Sequence, residues 1–310
     1  MSIIERAAEL LGALPQGRRK STVPENSPGG GEGNWIERAA AEEDARLRSG
    51  SPKVDPARRP AGTHEPTRSG DRAGRTLAID RSLLRQQSMI APDGERTVIA
   101  ESFRRIKRQI LANVAKPKAG PPANLVLVTS ALPGEGKTYC AINLAISIAL
   151  EVDRTALLVD GDVAKPDVAR LLGLDAQGGL MEVLRDRSVD VADVLCKTDI
   201  GRLTILPAGA AHKRSTELMA SDAMRDLLHD LAGRYPDRII IFDSPPLLAA
   251  SETGVLASQM GQIVIVVEAG KTSETALKSA LQHVDAGKVS GLLLNKGQSA
   301  SLEYGYDGYG

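Results

Sequence analysis

The chain has 310 residues with 39 basic and 39 acidic side chains, and its aromatic share is only 3 %. This length allows one large domain or two small ones, and an apolar content of 42 % is enough for one sizeable core. Zero net charge argues against a nucleic-acid-binding protein that relies on a global positive field. The two cysteines, Cys140 and Cys196, exclude a disulfide framework and a four-cysteine metal site. Since there is neither a secretion signal nor an apolar run of about 18 residues, we expect a cytoplasmic protein without a membrane span.

The N-terminal part of the chain is predicted to lie outside the core. Residues 1–14 are predicted to form an amphipathic helix, with Ser2 and Glu5 spaced as a capping box, that docks on a partner or on the rest of the chain. Residues 15–76 are predicted to be a disordered linker, because seven prolines and nine glycines fall in its first 61 residues. The folded domain is therefore predicted to span 77–296.

A helical lead-in is predicted over 97–113, where Ile99, Phe103, Ile106 and Ile110 recur at helical spacing. Its opposite face is charged and consists of Glu101, Arg104, Arg105, Lys107 and Arg108. Such a run is ordinarily a solvated face, so the pattern alone leaves its role open.

Beyond residue 122, apolar runs of strand length alternate with helical stretches. The predicted strands are Leu125–Thr129, Ala156–Val159, Leu203–Leu206, Ile239–Phe242, Ile263–Val267 and Gly291–Leu294. The predicted helices include Thr138–Leu150, Thr216–Leu231 and Glu274–Val284. Strands without polar alternation, separated by helices, indicate an α/β fold with a doubly wound, mostly parallel sheet. Ligands of such folds bind at the carboxyl ends of the strands.

The residues that join the first of these strands to the first helix form a phosphate-binding P-loop signature. They are Ala131, Leu132, Pro133, Gly134, Glu135, Gly136, Lys137 and Thr138, with Tyr139 next in the helix. Glycines let backbone N–H groups surround phosphate oxygens, Lys137 can reach the β- and γ-phosphates, and Thr138 can bind magnesium. Ala131 replaces the usual glycine. The signature predicts that these nine residues form a site for ATP and Mg²⁺.

Two acidic motifs follow predicted strands. Asp243 stands where a Walker B aspartate ends its strand, and it is predicted to hold magnesium directly or through water. Asp160 and Asp162 follow the second strand, which is one acid more than ATP hydrolysis needs. One of them can assist the metal while the other accepts a proton from an attacking hydroxyl, as a kinase requires. Each of the two acids can instead simply cap the next helix.

Three Walker-type motifs and a terminal tyrosine cluster occur in one chain: SALPGEGKT, LLVDGDVAKPDV, IIIFDSPPLL and EYGYDGYG, with LLLN before the last. The combination resembles the bacterial tyrosine kinases of capsule and exopolysaccharide synthesis, which are P-loop proteins related to the MinD and ParA ATPases. The resemblance covers Ala100–Gly310. The N-terminal half is most similar to the tyrosine autokinases associated with exosortase-type export loci.

The resemblance implies roles for single residues. Lys137 and Thr138 would contact the nucleotide and magnesium. Asp160 would accept the tyrosine proton, and Asp162 and Asp243 would lie near the metal. Which of Asp160 and Asp162 is the base stays open.

The resemblance also implies an assembly and a base contact. Family members carry a Glu-x-x-Arg-x-x-Arg helix that packs subunits into a ring, and Glu101, Arg104 and Lys107 match it, with lysine for the last arginine. Arg108 follows. A homo-oligomeric ring is therefore expected. Asn295 matches the position at which relatives approach the adenine.

Two positions depart from related patterns. The family usually has Asp-x-Asp-x-Arg, but Ala164 stands at the arginine position and leaves Lys165 as the candidate replacement. MinD and ParA ATPases carry a lysine where this chain has Leu132, and that lysine reaches across a dimer to the partner's nucleotide.

The C-terminal segment is predicted to be a flexible tail over 297–310 that carries phosphorylation sites at Tyr304, Tyr306 and Tyr309. Such a tail spans about 20 Å on average and at most about 45 Å, so it can reach its own site or a neighbour's. Each phosphate would add about −1.5 to −2 charges, and we expect a fully modified tail to leave the acidic site and weaken the ring. The alternative is that the tyrosines only decorate a disordered end.

The leading hypothesis is an ATP-dependent protein-tyrosine autokinase that regulates exopolysaccharide polymerisation or export. It would be recruited to the inner face of the membrane by a separate chain-length determinant whose cytoplasmic segment activates it. One alternative is a positioning ATPase of the MinD/ParA type, against which Leu132 and the tyrosine tail count. A second alternative, kept open by Ala164, is an assembly subunit in which ATP controls only oligomerisation.

Overall fold

The structure is a computed structural model. It describes residues 76–94, 97–116, 120–235 and 237–297. The predicted helix 1–14, the predicted linker up to residue 75 and the three tail tyrosines lie outside these ranges. Within the ranges, none of the helices is both long and apolar enough to cross a lipid bilayer.

The fold is built on a seven-stranded sheet with the order β3-β4-β2-β5-β1-β6-β7. The strands are β1 Leu125–Ser130, β2 Thr155–Asp160, β3 Cys196–Lys197, β4 Leu203–Leu206, β5 Arg238–Asp243, β6 Gln262–Glu268 and β7 Val289–Asn295. All neighbours pair in parallel except β3 with β4. The six predicted strands are confirmed. The two residues of β3 were not predicted, because a strand this short leaves no periodic pattern.

Helices connect the strands. They are α1 Arg81–Gln86, α2 Val98–Val114, α3 Lys137–Ala149, α4 Val168–Leu171, α5 Leu180–Arg185, α6 Val191–Val194, α7 Ser215–Met219, α8 Asp222–Arg234, α9 Ser251–Gln259 and α10 Glu274–Leu281. The prediction of one helix over Thr216–Leu231 is wrong. Ser221 divides it, because its hydroxyl accepts from the Met224 N–H and thereby caps α8.

The core lies on both faces of the sheet, as predicted for a doubly wound fold. All six residues of β1 are buried. Leu125 and Leu127 join the cluster under α5, α7, α8, α9 and α10. Val126 and Val128 join the opposite cluster, which α1, α2, α3 and α4 cover. The alternation places the sheet between two apolar layers and leaves its carboxyl edge for polar groups.

Lys107 does not lie on the charged outer face of α2, where it was predicted. It shares the packed face with Phe103 and Ile110, because those residues stand four before and three after it in the helix. Its ammonium donates to the Ser147 carbonyl at 3.1 Å and pairs with Glu151. A cation at the carboxyl end of α3 is also favoured by the helix dipole. Lys107 therefore ties α2 to the P-loop helix within one chain.

Lys107→Met is expected to lower the free energy of unfolding by about 1.5–3 kcal/mol, the usual contribution of hydrogen bonds to a charged group. Urea denaturation would measure it. Arg108→Met is the control, because Arg108 is exposed on the same helix, and a change under about 0.5 kcal/mol is expected there. Equal losses in the two variants would contradict the assignment of Lys107 to the packed face.

Candidate nucleotide and magnesium site

The P-loop lies between β1 and α3, as the sequence predicts. Gly134 and Gly136 have φ angles of 83° and 94°, which side chains rarely adopt, and Gly136 directly precedes α3. Ala131 is fully buried in the core, so the replacement of the usual glycine fits the fold. Lys137 is the first residue of α3 and is 8 % exposed. The loop thus places the amino end of a helix next to a buried lysine, and both favour the binding of a phosphate.

Side chains also brace the P-loop from within and from neighbouring loops. The carboxylate of Glu135 is 2 % exposed, accepts from the Leu132 N–H at 2.7 Å and bonds the Thr272 hydroxyl. From the end of β7, Asn295 Nδ2 donates to the Glu135 carbonyl at 2.9 Å, and Lys296 Nζ donates to the Gly134 carbonyl at 2.7 Å. The sequence reasoning missed Thr272 and Lys296, because they are 137 and 162 residues from their partners and match no local motif.

Two aspartates end adjacent strands at this edge. Asp160 of β2 and Asp243 of β5 are partners in the parallel register, and they are 1 % and 0 % exposed. Gly161 follows closely, since its N–H donates to the Asp243 carbonyl at 2.8 Å and a Cβ there would lie 2.7 Å from that oxygen. A side chain at 161 would therefore separate the two strand ends. The structure brings together the two acids that the sequence placed on different motifs.

Burial governs the protonation of these acids. Burial raises the pKa of Asp243 to about 8, while the Thr138 hydroxyl and the Lys137 ammonium lower it and Asp160 raises it. Burial likewise raises the pKa of Asp160 to about 7. The hydrogen bond from the Val168 N–H lowers this pKa, and the nearby Asp162 carboxylate raises it further. Burial also raises the pKa of Asp162, which Lys137 opposes. The three carboxylates and Lys137 therefore form one electrostatic unit.

The carboxylate oxygens differ in their partners. Asp160 Oδ2 accepts from the N–H groups of Asp167 and Val168, both at 3.1 Å, at the start of α4. Its Oδ1 and both oxygens of Asp243 are buried without a partner in full hydrogen-bond geometry, although the Thr138 hydroxyl is close enough to lower the pKa of Asp243. Asp162 Oδ1 accepts from the Lys165 N–H at 3.2 Å, which closes a turn before α4 and does not cap that helix. The capping alternative therefore fits Asp160 and not Asp162.

These residues fit a magnesium ion. Buried oxygens without partners are expensive unless a cation or donor reaches them, and Asp243 has two. Across the described ranges, no three His, Cys, Asp or Glu side chains are close enough to enclose an ion. Magnesium does not need such a cage, because it usually combines one or two carboxylates with waters and substrate phosphates. Asp162 and Asp243 could supply the two carboxylates, and the Thr138 hydroxyl could be a further ligand.

Two predicted nucleotide contacts have partners within the chain. The Tyr139 hydroxyl donates to the Ser88 carbonyl at 2.7 Å, so it points toward the segment that precedes α2. The Asn295 amide is engaged with the P-loop backbone.

In α2, Arg104 pairs with Glu101 at 2.8 Å and Arg108 is exposed, whereas Lys107 is buried. Lys107 is therefore not available for the predicted subunit contact, which stays a prediction for Glu101, Arg104 and Arg108.

A P-loop that opens a helix beside acids on neighbouring parallel strand ends defines a nucleotide-binding protein of the P-loop class. No family model matches the chain. It is 29 % identical over 235 residues to the tyrosine-protein kinase YwqD of Bacillus subtilis, which covers 75 % of this chain and 96 % of that protein. It is 33 % identical over 229 residues to the succinoglycan biosynthesis transport protein ExoP of Rhizobium meliloti, covering 71 % of this chain but 28 % of that protein.

A solved structure is also similar to this chain. The VpsO kinase domain is 30 % identical and has a TM-score of 0.56, over 64 % of this chain and 95 % of that one. The chain therefore belongs to the family of bacterial tyrosine kinases.

Without nucleotide and magnesium, we expect stability to fall as the pH rises. Between the ordinary carboxyl pKa of 3.8 and the folded value of about 8, the unfolded chain has lost the Asp243 proton and the folded chain has kept it. Stability should therefore decline across this window and level off above it. Asp243→Asn should flatten the decline in urea titrations with a chelator present. Asp153→Asn, at an exposed aspartate, is the control. The same slope in the wild type and Asp243→Asn would contradict this account.

Proposed function

We propose that the chain is an ATP-dependent tyrosine kinase that phosphorylates its own C-terminal tyrosines. The observation that carries the proposal is the free, buried Oδ1 of Asp160 next to Asp243 and the P-loop helix. A carboxylate oxygen at this place can accept the proton that the attacking nucleophile loses during phosphoryl transfer. The names of the similar kinases favour a tyrosine hydroxyl over water as that nucleophile.

The division of roles follows from the partners of each oxygen. Asp160 keeps one oxygen on the start of α4 and has the other available as the proton acceptor. The tyrosine oxygen would give its proton to Asp160 and bond to the γ-phosphorus of ATP, while the bond to the β–γ bridging oxygen breaks and ADP leaves. Lys137 and the P-loop N–H groups would hold the phosphates. Mg²⁺ bound with Thr138, Asp162 and Asp243 would balance phosphate charge.

The start of the tail supports a tail substrate. β7 ends at Asn295 beside the P-loop, so the tail leaves from the edge that carries the site. Four strand steps separate β7 from β2, which is about 19 Å. Tyr304 is eight residues beyond Lys296 and on average would reach only about 16 Å. Eight fully extended residues span about 27 Å, so Tyr304 can reach its own site only when this part of the tail is stretched, and a neighbouring subunit's site stays the alternative.

A ring would supply that neighbour. Glu101, Arg104 and Arg108 remain available on α2, and the resemblance to ring-forming kinases supports a contact there. The succinoglycan transport relative supports a role in exopolysaccharide polymerisation or export. A membrane chain-length determinant with a cytoplasmic activating segment would recruit the kinase to the inner face of the membrane.

Incubation with labelled ATP and Mg²⁺ tests the activity. We expect label on tyrosine in the wild type, and a loss of at least about 100-fold in Lys137→Met and Asp160→Asn. Asparagine at 160 retains an oxygen that can accept the α4 N–H bonds, so folding should be preserved. Tyr304→Phe/Tyr306→Phe/Tyr309→Phe should bind ATP normally and incorporate no tail label. ATP hydrolysis without tyrosine label would favour the positioning ATPase instead.

A mixing experiment tests the route between subunits. Lys137→Met retains the tail and lacks activity, whereas the triple Tyr→Phe variant retains activity and lacks acceptors. We expect label to appear on the Lys137→Met chain when the two are combined, because its tail reaches the partner's site. Label that never crosses between chains, with Tyr309 modified before Tyr304 in the wild type, would show that each tail reacts at its own site.

A further inference from the structure

We propose that Asn295 and Lys296 form a clamp that holds the P-loop in its phosphate-binding shape. The clamp consists of the Asn295 Nδ2 bond to the Glu135 carbonyl, at 2.9 Å, and the Lys296 Nζ bond to the Gly134 carbonyl, at 2.7 Å. Both residues are thus positioning residues for the nucleotide. The inference rests on the proposed function in one respect, since it takes the P-loop to bind ATP.

The clamp acts through the planarity of the peptide bond. In a trans peptide, the C=O of one residue and the N–H of the next point in opposite directions. A Gly134 carbonyl held on Lys296 therefore fixes the direction of the Glu135 N–H. A Glu135 carbonyl held on Asn295 fixes the Gly136 N–H in the same way. Backbone N–H groups of this loop are the donors that surround phosphate oxygens.

The loop needs outside support because its own backbone is permissive. Gly134 and Gly136 both have positive φ, and glycine adopts many other conformations equally well. The fit at Gly136 is close, since a Cβ there would lie 2.1 Å from Asn295 Nδ2. The Ala269 N–H donates to the Asn295 carbonyl at 2.9 Å, so the end of β7 is fixed to the residue after β6. The end of β7 is thus itself anchored where it contacts the loop.

Lys296 has an unusual backbone for this task. Its φ is 57°, and Ser88 is the other residue besides glycine with a positive φ in the described ranges. The left-handed region is unfavourable for a lysine and easy for a glycine. The strained residue donates to the P-loop and also pairs with Glu268 at 3.4 Å. Its side chain, rather than its backbone preference, accounts for a lysine at this position.

Lys271 provides a matched control. It is an exposed lysine that pairs with the same Glu268 carboxylate at 3.3 Å, and its contacts among the described residues include no P-loop carbonyl. Loss of Lys271 removes a similar charge from the same neighbourhood. It leaves the hydrogen bond to Gly134 in place.

The experiment measures the dissociation constants of ADP and of a non-hydrolysable ATP analogue by calorimetry, with Mg²⁺ and the full chain. We expect at least about tenfold weaker binding in Lys296→Met and a change below about threefold in Lys271→Met. Lys296→Arg should restore most of the affinity, because a guanidinium can also donate to the Gly134 carbonyl.

Lys296→Gly separates positioning from stability. It removes the donor and relieves the left-handed backbone, so its melting temperature should equal or exceed that of the wild type. Its nucleotide affinity should nevertheless fall as in Lys296→Met. Wild-type affinity in Lys296→Gly or Lys296→Met, or an equal loss in Lys271→Met, would overturn the clamp. A wild type that binds no nucleotide would instead overturn the proposed function, and the clamp with it.

Discussion

The site depends on the burial of two carboxyl groups side by side, because burial disfavours the charged form of both. Parallel pairing of β2 with β5 sets Asp160 opposite Asp243 at the last residue of each strand, and the covering layers exclude water from both. An unpaired buried carboxylate is unfavourable, so both acids hold protons to higher pH than usual. The two buried carboxyl groups destabilise the fold at this edge, and a cation and a phosphate that bind there would offset the loss. Gly161 is part of the same constraint, because only a residue without a Cβ lets the strand ends meet.

The P-loop helix connects this edge to the rest of the molecule. At its amino end, Lys137 and Thr138 influence the protonation of Asp243. At its carboxyl end, Lys107 joins it to α2 through the Ser147 carbonyl and Glu151. Along its length, the Asn143 carboxamide accepts from the Ile90 N–H at 2.7 Å. The helix that would bind phosphate is therefore held by the residues that precede α2 as well as by the sheet.

The sequence was sufficient for the parts of the fold that repeat regularly. The six longer strands have continuous apolar runs, and the P-loop and Walker-type acids are local motifs with fixed positions relative to a strand. The failures have physical causes. Ser221 competes for a backbone N–H inside an apolar periodic stretch, and Lys107 is a charged residue on an apolar stripe whose ion pair lies on another helix. Thr272 and Lys296 reach the P-loop only because β6 and β7 pair beside β1, which a local pattern does not encode.

Charge balance explains why the site needs more than its own residues. Asp160, Asp162 and Asp243 interact electrostatically, and Lys137 is the buried cation that lowers the pKa of both Asp162 and Asp243. The ammonium of Lys296 is engaged by the Gly134 carbonyl and by Glu268. It therefore does not replace the lysine that is absent at Leu132. A triphosphate would add further negative charge beside three acids. A magnesium ion at this edge would therefore favour nucleotide binding, because it would displace the Asp243 proton and oppose the charge of both the carboxylates and the phosphates.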